Sequence, residues 1–198
     1  MTAIGAQQEG ELKVYSQQVK ISWEDFECEY LSREDEWKYE WINGYVEKTK
    51  RTMNQYQFFI LNNLKDLFDE LKIEGKISGY LGVEMDAYFL ENIHRIPDVA
   101  YYSLAQNVKM AAGENQVPEF VIEIILKTDN INRVNRKVQN YREAKVAVIW
   151  HVFPELEEVH IYHDDKMVIL KGTRICSAAP ILSDFEITVN DVFKKPTV

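Results

Sequence analysis

One short apolar stretch decides how this chain folds, and it reads Pro118-Glu119-Phe120-Val121-Ile122-Glu123-Ile124-Ile125-Leu126. A continuous apolar run of this length, with a proline at its start, predicts a β-strand that is buried on both faces. Glu123 interrupts the run with a carboxylate. Because burying an ionised carboxylate costs on the order of several kcal/mol unless a cation, a metal or hydrogen-bond donors compensate it, Glu123 predicts a functional site.

A second acid stands near the start of an upstream strand, in the run Arg95-Ile96-Pro97-Asp98-Val99-Ala100-Tyr101-Tyr102. Proline is tolerated at the first residue of a strand but not at its centre, so Pro97 places Asp98 at a strand entrance, where side chains can converge on a cleft. If the two strands are neighbours, Asp98 and Glu123 form a site of hard oxygen ligands, which suits Mg²⁺ or Mn²⁺. Such a metal activates water and neutralises charge on a phosphate, so the pattern predicts phosphodiester chemistry.

A helix that carries a lysine is predicted directly after the strand of Glu123. Thr128-Asp129-Asn130 offers capping groups, and the positions that follow recur at helical spacing, at Val134, Val138 and Tyr141. Because a strand rises ~3.3 Å per residue and a helix only ~1.5 Å, a helix folding back along the strand brings the amine of Lys137 beside Glu123. Lys127 competes for this role, since it shares a strand face with Glu123 if the alternation continues, but it lies ~13 Å further along the strand. We therefore favour Lys137, whose ammonium would stabilise the phosphate or orient the attacking water.

Four motifs occur in a fixed order along the chain: Pro97-Asp98, then Phe120-Val121-Ile122-Glu123-Ile124-Ile125, then Lys137 with Tyr141 four residues on, then Val148-Ile149-Trp150-His151-Val152-Phe153-Pro154. This order resembles the PD-(D/E)xK nuclease superfamily and, within it, the Uma-type family of bacterial putative restriction endonucleases. The opening and closing signatures of that family resemble Trp37-Lys38-Tyr39-Glu40-Trp41-Ile42-Asn43-Gly44-Tyr45-Val46 and Pro180-Ile181-Leu182-Ser183-Asp184-Phe185-Glu186-Ile187-Thr188-Val189 with Val192-Phe193. The resemblance runs from about Ile21 to Phe193.

The resemblance implies a fold, an activity and a role for each matched residue. The fold is an α/β, restriction-endonuclease-like core, in which a central mixed β-sheet is flanked by helices. The activity is that of a Mg²⁺-dependent (or Mn²⁺-dependent) endonuclease that hydrolyses DNA phosphodiester bonds. Asp98 and Glu123 match the metal ligands, Glu40 matches the acid that joins the site from the N-terminal element, and Lys137 matches a lysine that some members supply from the following helix. Glu40 could instead pair with Lys38 or with another neighbouring strand charge.

The sequence also departs from the family pattern, and the departures bear on activity more than on fold. Ile125 stands where the superfamily motif has its lysine, two residues after the acid. Glu119 stands where aspartate is frequent, Leu126-Lys127 where Ser-Pro is frequent, and Gln57 roughly where many relatives carry histidine. These departures keep a second reading open, a catalytically inactive nuclease-like module that binds nucleic acid or a protein partner. A third is a hydrolase acting on another phosphate ester.

Length and composition are those of a globular protein. The chain has 198 residues, of which 46% are hydrophobic and 12% aromatic, so one domain with a substantial core is expected. We expect residues 1–20 to form a flexible N-terminal tail and residues 21–198 a single nuclease-like domain. Cys28 and Cys176 are too few for a disulfide framework, and no apolar run approaches the ~20 residues of a membrane helix. With no apolar signal core at the N-terminus, a cytoplasmic location without membrane contact is expected.

The net charge of −9 argues against an extended, purely electrostatic nucleic-acid binder, although a metal nuclease needs only a local basic surface. Two basic patches qualify as candidate DNA contacts. One comprises Lys48, Lys50 and Arg51 after the first hairpin, and the other comprises Arg133 and Arg136 beside Lys137. A homodimer is plausible, because a two-fold duplex favours paired active sites, although no dedicated dimer element is visible.

The remaining pattern predicts the other elements. We expect a helix opening at Ser22, a strand pair from Tyr39 to Thr49 with a turn at Asn43-Gly44, a long amphipathic helix from Phe58 to Leu71, a strand from Ile77 to Leu90, a polar connection over 104–116, a buried strand from Val146 to Val152, and a hairpin of Glu158–Tyr162 with Met167–Leu170.

The four histidines are weaker metal candidates. His160 and His163 lie in a predicted strand, where a separation of three residues puts them on opposite faces. We expect His151 to be a buried imidazole in the core. His94 could border the cleft. The strand aromatics could stack on bases but more often fill cores, and these are Tyr39, Trp41, Tyr101 and Tyr102.

Overall fold

The computed structural model describes residues 19–51 and 54–196. The predicted tail of residues 1–20 therefore lies almost wholly outside the described residues. The helices are α1 (Trp23–Phe26), α2 (Gln55–Ile73), α3 (Leu104–Ala111), α4 (Ile131–Glu143) and α5 (Val189–Val192), with a π-helical segment at Glu27–Leu31. The strands are β1 (Trp37–Ile42), β2 (Tyr45–Lys50), β3 (Tyr80–Val83), β4 (Ala87–Leu90), β5 (Ile93–Arg95), β6 (Val99–Tyr102), β7 (Phe120–Ile124), β8 (Val148–Phe153), β9 (Glu158–His163), β10 (Lys166–Lys171), β11 (Ile175–Ala178) and β12 (Leu182–Thr188).

A six-stranded mixed sheet lies at the centre, with the strand order β10-β9-β8-β7-β6-β3. Its β7 and β8 pair in parallel and its other neighbours are antiparallel. A second sheet has four strands in the order β2-β1-β5-β4, and β11 and β12 form a separate pair. The expected α/β fold with a central mixed sheet flanked by helices is confirmed.

The strand β7 is buried at every position, as the apolar run predicted. Its alternate side chains Phe120, Ile122 and Ile124 join the larger core, to which α2 contributes. Val121 points into a second core together with side chains of α4. Because both faces of β7 are covered by apolar side chains, a carboxylate at position 123 lies inside the molecule and depends on groups brought to it by other elements.

The helix α4 is the crossover between the parallel strands β7 and β8, which fixes its position over the sheet. Asn130 caps its N-terminus by accepting hydrogen bonds from the N–H groups of Asn132 and Arg133. Its buried positions include Val134, Val138 and Tyr141, the helical spacing that the sequence predicted. The crossover therefore sets one fixed face of α4 against the carboxyl end of β7.

Two predicted elements are wrong. The single strand expected from Ile77 to Leu90 is instead β3 in the central sheet and β4 in the second sheet, separated by a turn in which Glu84 has a φ of 48°. The polar connection over 104–116 contains the helix α3, which buries none of its residues. Its N-terminus is held by a capping box between Ser103 and Gln106, and this spacing of serine and glutamine is the sequence signal that marks the start of the helix.

Within the described ranges, no helix combines the length and the apolar character needed to cross a bilayer. Cys28 is exposed, Cys176 is buried, and both are free thiols.

Gly79 leads into β3 at a point where the backbone approaches its neighbour closely. Its φ is 88°, and a Cβ atom there would lie 2.4 Å from the carbonyl oxygen of Tyr102. Gly75 has a similar φ of 71°, but a Cβ atom there would meet open space. We expect Gly79→Ala to destabilise the protein by roughly 2–4 kcal/mol, since a backbone clash adds to the left-handed conformation, and Gly75→Ala by only ~1 kcal/mol. Urea unfolding of both variants measures this, and equal losses would refute it.

Candidate active site

Asp98, directly before β6, lies beside Glu123 on the neighbouring strand β7 of the central sheet. Val99 pairs with Ile122 in the antiparallel ladder of β6 and β7. Asp98, directly before Val99, therefore lies opposite Glu123, directly after Ile122. Asp98 is fixed in this position, because its Oδ2 accepts the N–H of Ile124 at 2.7 Å. The structure therefore brings together the acids that the sequence predicted to converge.

Lys137 supplies the cation for Glu123. Its Nζ lies 3.1 Å from Oε1 and 3.0 Å from Oε2 of Glu123, and Tyr141, one turn further along α4, donates its hydroxyl to the same Oε1. Glu123 itself is only 3% exposed. Lys127 is exposed in the turn after β7, because the strand ends at Ile124 and the alternation does not continue.

Glu40 reaches the same amine from the second sheet. Its Oε1 accepts the N–H of Ile96 at 2.9 Å and lies 3.4 Å from Nζ of Lys137, while its Oε2 lies 3.0 Å from Arg95 Nη1. The amine of Lys137 is thus shared by acids from both sheets. Of the alternative partners expected for Glu40, Lys38 does not pair with it, but a charge on the neighbouring strand does, since Arg95 lies on β5 beside β1.

The buried charges shift one another's pKa values. Burial raises the pKa of Glu123 to about 7, with Asp98 and Glu40 adding to the rise and Lys137 opposing it. Burial also acts to raise the pKa of Glu40, but Lys137 and Arg95 outweigh it and hold that pKa at about 2. For Lys137, burial lowers the pKa, yet the neighbouring carboxylates raise it above the usual value, so its amine stays protonated.

Arg95 is the first of two site residues that the sequence analysis did not identify. Its side chain is fully buried, and its Nη1 lies 3.0 Å from both Glu40 Oε2 and Glu47 Oε2. Asn140 of α4 accepts from its Nε at 3.2 Å and from its Nη2 at 2.8 Å. Arg95 therefore ties β1, β2 and α4 together behind the acids.

Lys38 is the second missed residue. It lies two positions before Glu40 on β1, and its Nζ is 3.2 Å from Asp98 Oδ1 and 2.7 Å from Glu84 Oε1. Burial acts to lower the pKa of Lys38, but Asp98 and Glu84 outweigh it and raise that pKa. Asp98 therefore also has a protonated amine as its neighbour.

The two predicted basic patches adjoin one another. Arg136 Nη1 lies 2.8 Å from Glu47 Oε1, and Arg133 Nε lies 3.4 Å from Glu47 Oε2. Arg133 also donates to the Thr49 hydroxyl at 2.9 Å, which joins α4 to β2. The lysines of the first patch have local partners, since Lys48 lies over the Trp37 ring and Lys50 lies 3.4 Å from Glu36. Arg51 is exposed next to them.

A cleft of about 380 Å³ opens beside these residues. Its lining brings the predicted acids and Lys137 together with one residue of each basic patch, and includes Lys38, Glu40, Lys50, Gln57, Asp98, Glu123, Ile125, Arg133 and Lys137. The side-chain oxygen of Gln57 accepts the N–H of Asn54 in the capping box of α2. The cleft therefore combines several carboxylates with amines and a guanidinium group.

The donor set of this cleft suits a hydrated hard cation. In the parts of the chain that the structure describes, no three acidic, histidine or cysteine side chains form a metal-binding group. Mg²⁺ needs fewer protein ligands, because it keeps several waters and is bound through one or two carboxylates together with substrate phosphates. Asp98 and Glu123 meet that requirement, whereas a closed zinc site would need more side chains.

The histidines stay outside this arrangement. His151, beside Glu123 in the sheet, is buried against Tyr162, and burial lowers its pKa to about 3. His94 is buried among aromatic rings rather than at the cleft, and these are Trp23, Phe26 and Tyr88. The strand aromatics Tyr39, Trp41, Tyr101 and Tyr102 are likewise core residues.

Fold and site together define an α/β protein with a restriction-endonuclease-like core and a buried acid–lysine cluster at one cleft. A family model described as Uma2, putative restriction endonuclease, matches residues 23–190, and the chain belongs to that family. It is similar to a putative nuclease belonging to DUF820 from Anabaena variabilis ATCC 29413, with a TM-score of 0.69 at 14% identity over 81% of this chain and 92% of that one. A comparison with curated proteins gives no match.

The predicted family and fold are thereby confirmed. The fold rests on the structural likeness, since a relative at this identity speaks for architecture alone. The family supports a nuclease function in general terms.

Arg95 offers a test of how strongly the buried charges depend on one another. We expect Arg95→Leu to destabilise the protein by about 3–5 kcal/mol, because the carboxylates of Glu40 and Glu47 stay buried after losing a shared cation. Arg174→Leu is the control, since that side chain is exposed and the urea midpoint of this variant should not move. Urea unfolding reports both, and an Arg95 variant as stable as the control would contradict the prediction.

Proposed function

We propose that this chain is a metal-dependent endonuclease of the PD-(D/E)xK type that hydrolyses DNA phosphodiester bonds. The observation that carries the proposal is the convergence of Asp98, Glu123 and Lys137 on one cleft. Two acids on adjacent strands with a buried amine form a site for a hard cation and a phosphate. Membership of a family of putative restriction endonucleases supports the same reading.

Asp98 and Glu123 would hold Mg²⁺ or Mn²⁺, which supplies an activated water and neutralises charge on the phosphate. The state of Glu123 supports this role. Burial raises the pKa of its carboxyl to about 7 even with Lys137 beside it, so a further positive charge stabilises its ionised form.

Lys137 contributes a fixed positive charge. Because its amine stays protonated, it cannot accept a proton from water, and its role is to stabilise the negative charge that develops on the phosphate. Glu40 is a positioning residue in this proposal. Its oxygens are engaged by Ile96, Arg95 and Lys137, so it holds the amine at the cleft.

The DNA partner is proposed from the charge at the mouth of the cleft. Arg133, which lines the cleft, and Arg136, which is exposed beside it, share one carboxylate, Glu47. This leaves an excess of positive charge at this surface of a chain that is acidic as a whole. Lys48, Lys50 and Arg51 extend this surface along and just beyond β2. The single nuclease-like domain over 21–198, the homodimer and the cytoplasmic location stay predictions from the sequence.

The proposal is tested first by cleavage of duplex DNA with Mg²⁺ or Mn²⁺. We expect Glu123→Gln and Asp98→Asn to abolish cleavage, because each removes a charged metal ligand, and Lys137→Met to slow it by roughly 10²–10³-fold. Glu158→Gln is the control, since Glu158 pairs with Lys171 on the edge strand β10 and does not line the cleft. Circular dichroism verifies the fold of each variant. Wild-type cleavage by the Glu123 variant would exclude the assignment.

The basic surface is tested by the salt dependence of DNA binding, with Ca²⁺ in place of Mg²⁺. Arg133→Gln and Arg136→Gln should each weaken binding and reduce the slope of log K against log salt by about 1, because each removes one phosphate contact. Arg174→Gln, an exposed arginine that does not line the cleft, should leave the slope unchanged. Unchanged slopes in both the Arg133 and the Arg136 variant would place the DNA elsewhere.

A second candidate function is the catalytically inactive module, and the observation that favours it is Ile125. This residue is buried in the place of the superfamily lysine, and it lines the cleft. Calorimetric titration with Mn²⁺ separates the two readings. A wild-type chain that binds DNA but neither binds millimolar Mn²⁺ nor cleaves DNA is the module. Cleavage of other phosphate esters in a substrate panel would instead support a different hydrolase.

A further inference from the structure

The cleft contains a second, largely buried amine that the proposed mechanism does not use, that of Lys38. Lys38 and Glu40 are two positions apart on β1, so their side chains point to the same face of the strand. The side chain of Lys38 is 14% exposed and lines the cleft. Each of the proposed metal ligands therefore has its own lysine, since Lys38 contacts Asp98 and Lys137 contacts Glu123.

Lys38 occupies the oxygen of Asp98 that accepts no backbone hydrogen bond. Oδ2 of Asp98 accepts the N–H of Ile124, and Oδ1 lies 3.2 Å from Nζ of Lys38. A divalent cation bound to Oδ1 would lie within a few ångströms of the ammonium group, where like charges repel strongly. The metal and Lys38 therefore compete for one oxygen atom.

Glu84 gives Lys38 an alternative partner at the same place. Its Oε1 is 2.7 Å from the Lys38 amine, closer than Asp98, and its own N–H donates to the backbone carbonyl of Asp98 at 3.2 Å. Lys38 can thus release Asp98 and stay in the cleft. Lys137 differs, because its carboxylate partners Glu40 and Glu123 are both buried and hold it in place.

We propose that Lys38 is a further catalytic residue: a divalent cation displaces its ammonium from Asp98, and Glu84 keeps it in the cleft, where it contacts a non-bridging oxygen of the phosphate. This inference rests on the function proposed above. It adds a positive charge on the Asp98 side of the site to the one that Lys137 provides beside Glu123. Loss of Lys38 should therefore have opposite effects on metal binding and on cleavage.

The test measures Mn²⁺ binding by calorimetry on the whole chain without nucleic acid, and DNA cleavage at saturating Mn²⁺. Lys38→Met should bind Mn²⁺ at least roughly fivefold more tightly, because the competing charge is gone, and should cleave roughly 10²–10³-fold more slowly. Lys76→Met is the matched control, since Lys76 also lies 2.7 Å from a glutamate, Glu74, away from the cleft. It should match wild type in both measurements.

A second variant keeps the amine and removes the charge of its other partner. Glu84→Gln leaves Lys38 with Asp98 alone, so Mn²⁺ binding should weaken roughly fivefold or more. Tighter binding by Lys38→Met and weaker binding by Glu84→Gln together support the inference, because a folding defect would weaken both.

The outcomes separate this inference from the proposed function. If wild type binds Mn²⁺ and cleaves DNA while Lys38→Met equals it in either measurement, Lys38 has no such role and the proposed function stands. If Lys38→Met weakens both metal binding and cleavage, the lysine is structural and the inference is overturned. A wild-type chain that neither binds Mn²⁺ nor cleaves DNA overturns both.

Discussion

The shared contact of Lys137 with Glu123 and Glu40 is the interaction on which the rest of the site depends. Both carboxylates are buried, and the Lys137 side chain is only 15% exposed. A buried charge without a partner costs several kcal/mol, which is comparable to the net stability of a whole domain. Together they compensate one another, with Nζ of Lys137 3.0 Å from Glu123 and 3.4 Å from Glu40. Without that amine, Glu123 would face Asp98 and Glu40 with no cation between them.

This contact also explains why the site needs both sheets. Glu123 comes from the central sheet, Glu40 from the four-stranded sheet, and Lys137 from the helix that crosses between β7 and β8. Arg95 completes the junction behind them by binding Glu40, Glu47 and Asn140. The charged cluster therefore helps to hold the two sheets and α4 together. The stability of the fold and the geometry of the cleft depend on the same side chains.

The sequence revealed residues that break a local pattern. Glu123 interrupts an apolar strand, Asp98 follows a proline at a strand entrance, and Lys137 shares a helical face with Tyr141, so each could be found from its own segment. Arg95 and Lys38 could not. Their partners lie on other strands, Arg95 with Glu40 and Lys38 with Asp98, and pairing between distant strands is a tertiary property that one sequence does not specify.

The secondary structure could likewise be predicted from the sequence only in part. The strands β7 and β8 and the helices α2 and α4 were predictable, because burial imposes a period on their sequences. The helix α3 was missed, since its capping box rather than an apolar face fixes it. The stretch from Ile77 to Leu90 was misread, because a left-handed residue at Glu84 sends its halves into different sheets and leaves no apolar signature.

Ile125 lines the cleft at the position where the superfamily motif has its lysine. Position 125 lies one residue beyond the end of β7, at most ~7 Å along the chain from Glu123, so a lysine there could bring its amine to the neighbourhood of Glu123. Lys137 already delivers an amine there from α4, bound to both oxygens of Glu123 and lining the cleft. A second lysine would add a like charge at a site where one is held in place. The isoleucine is therefore compatible with an intact acid–lysine cluster, in which the helix supplies the charge that the strand does not.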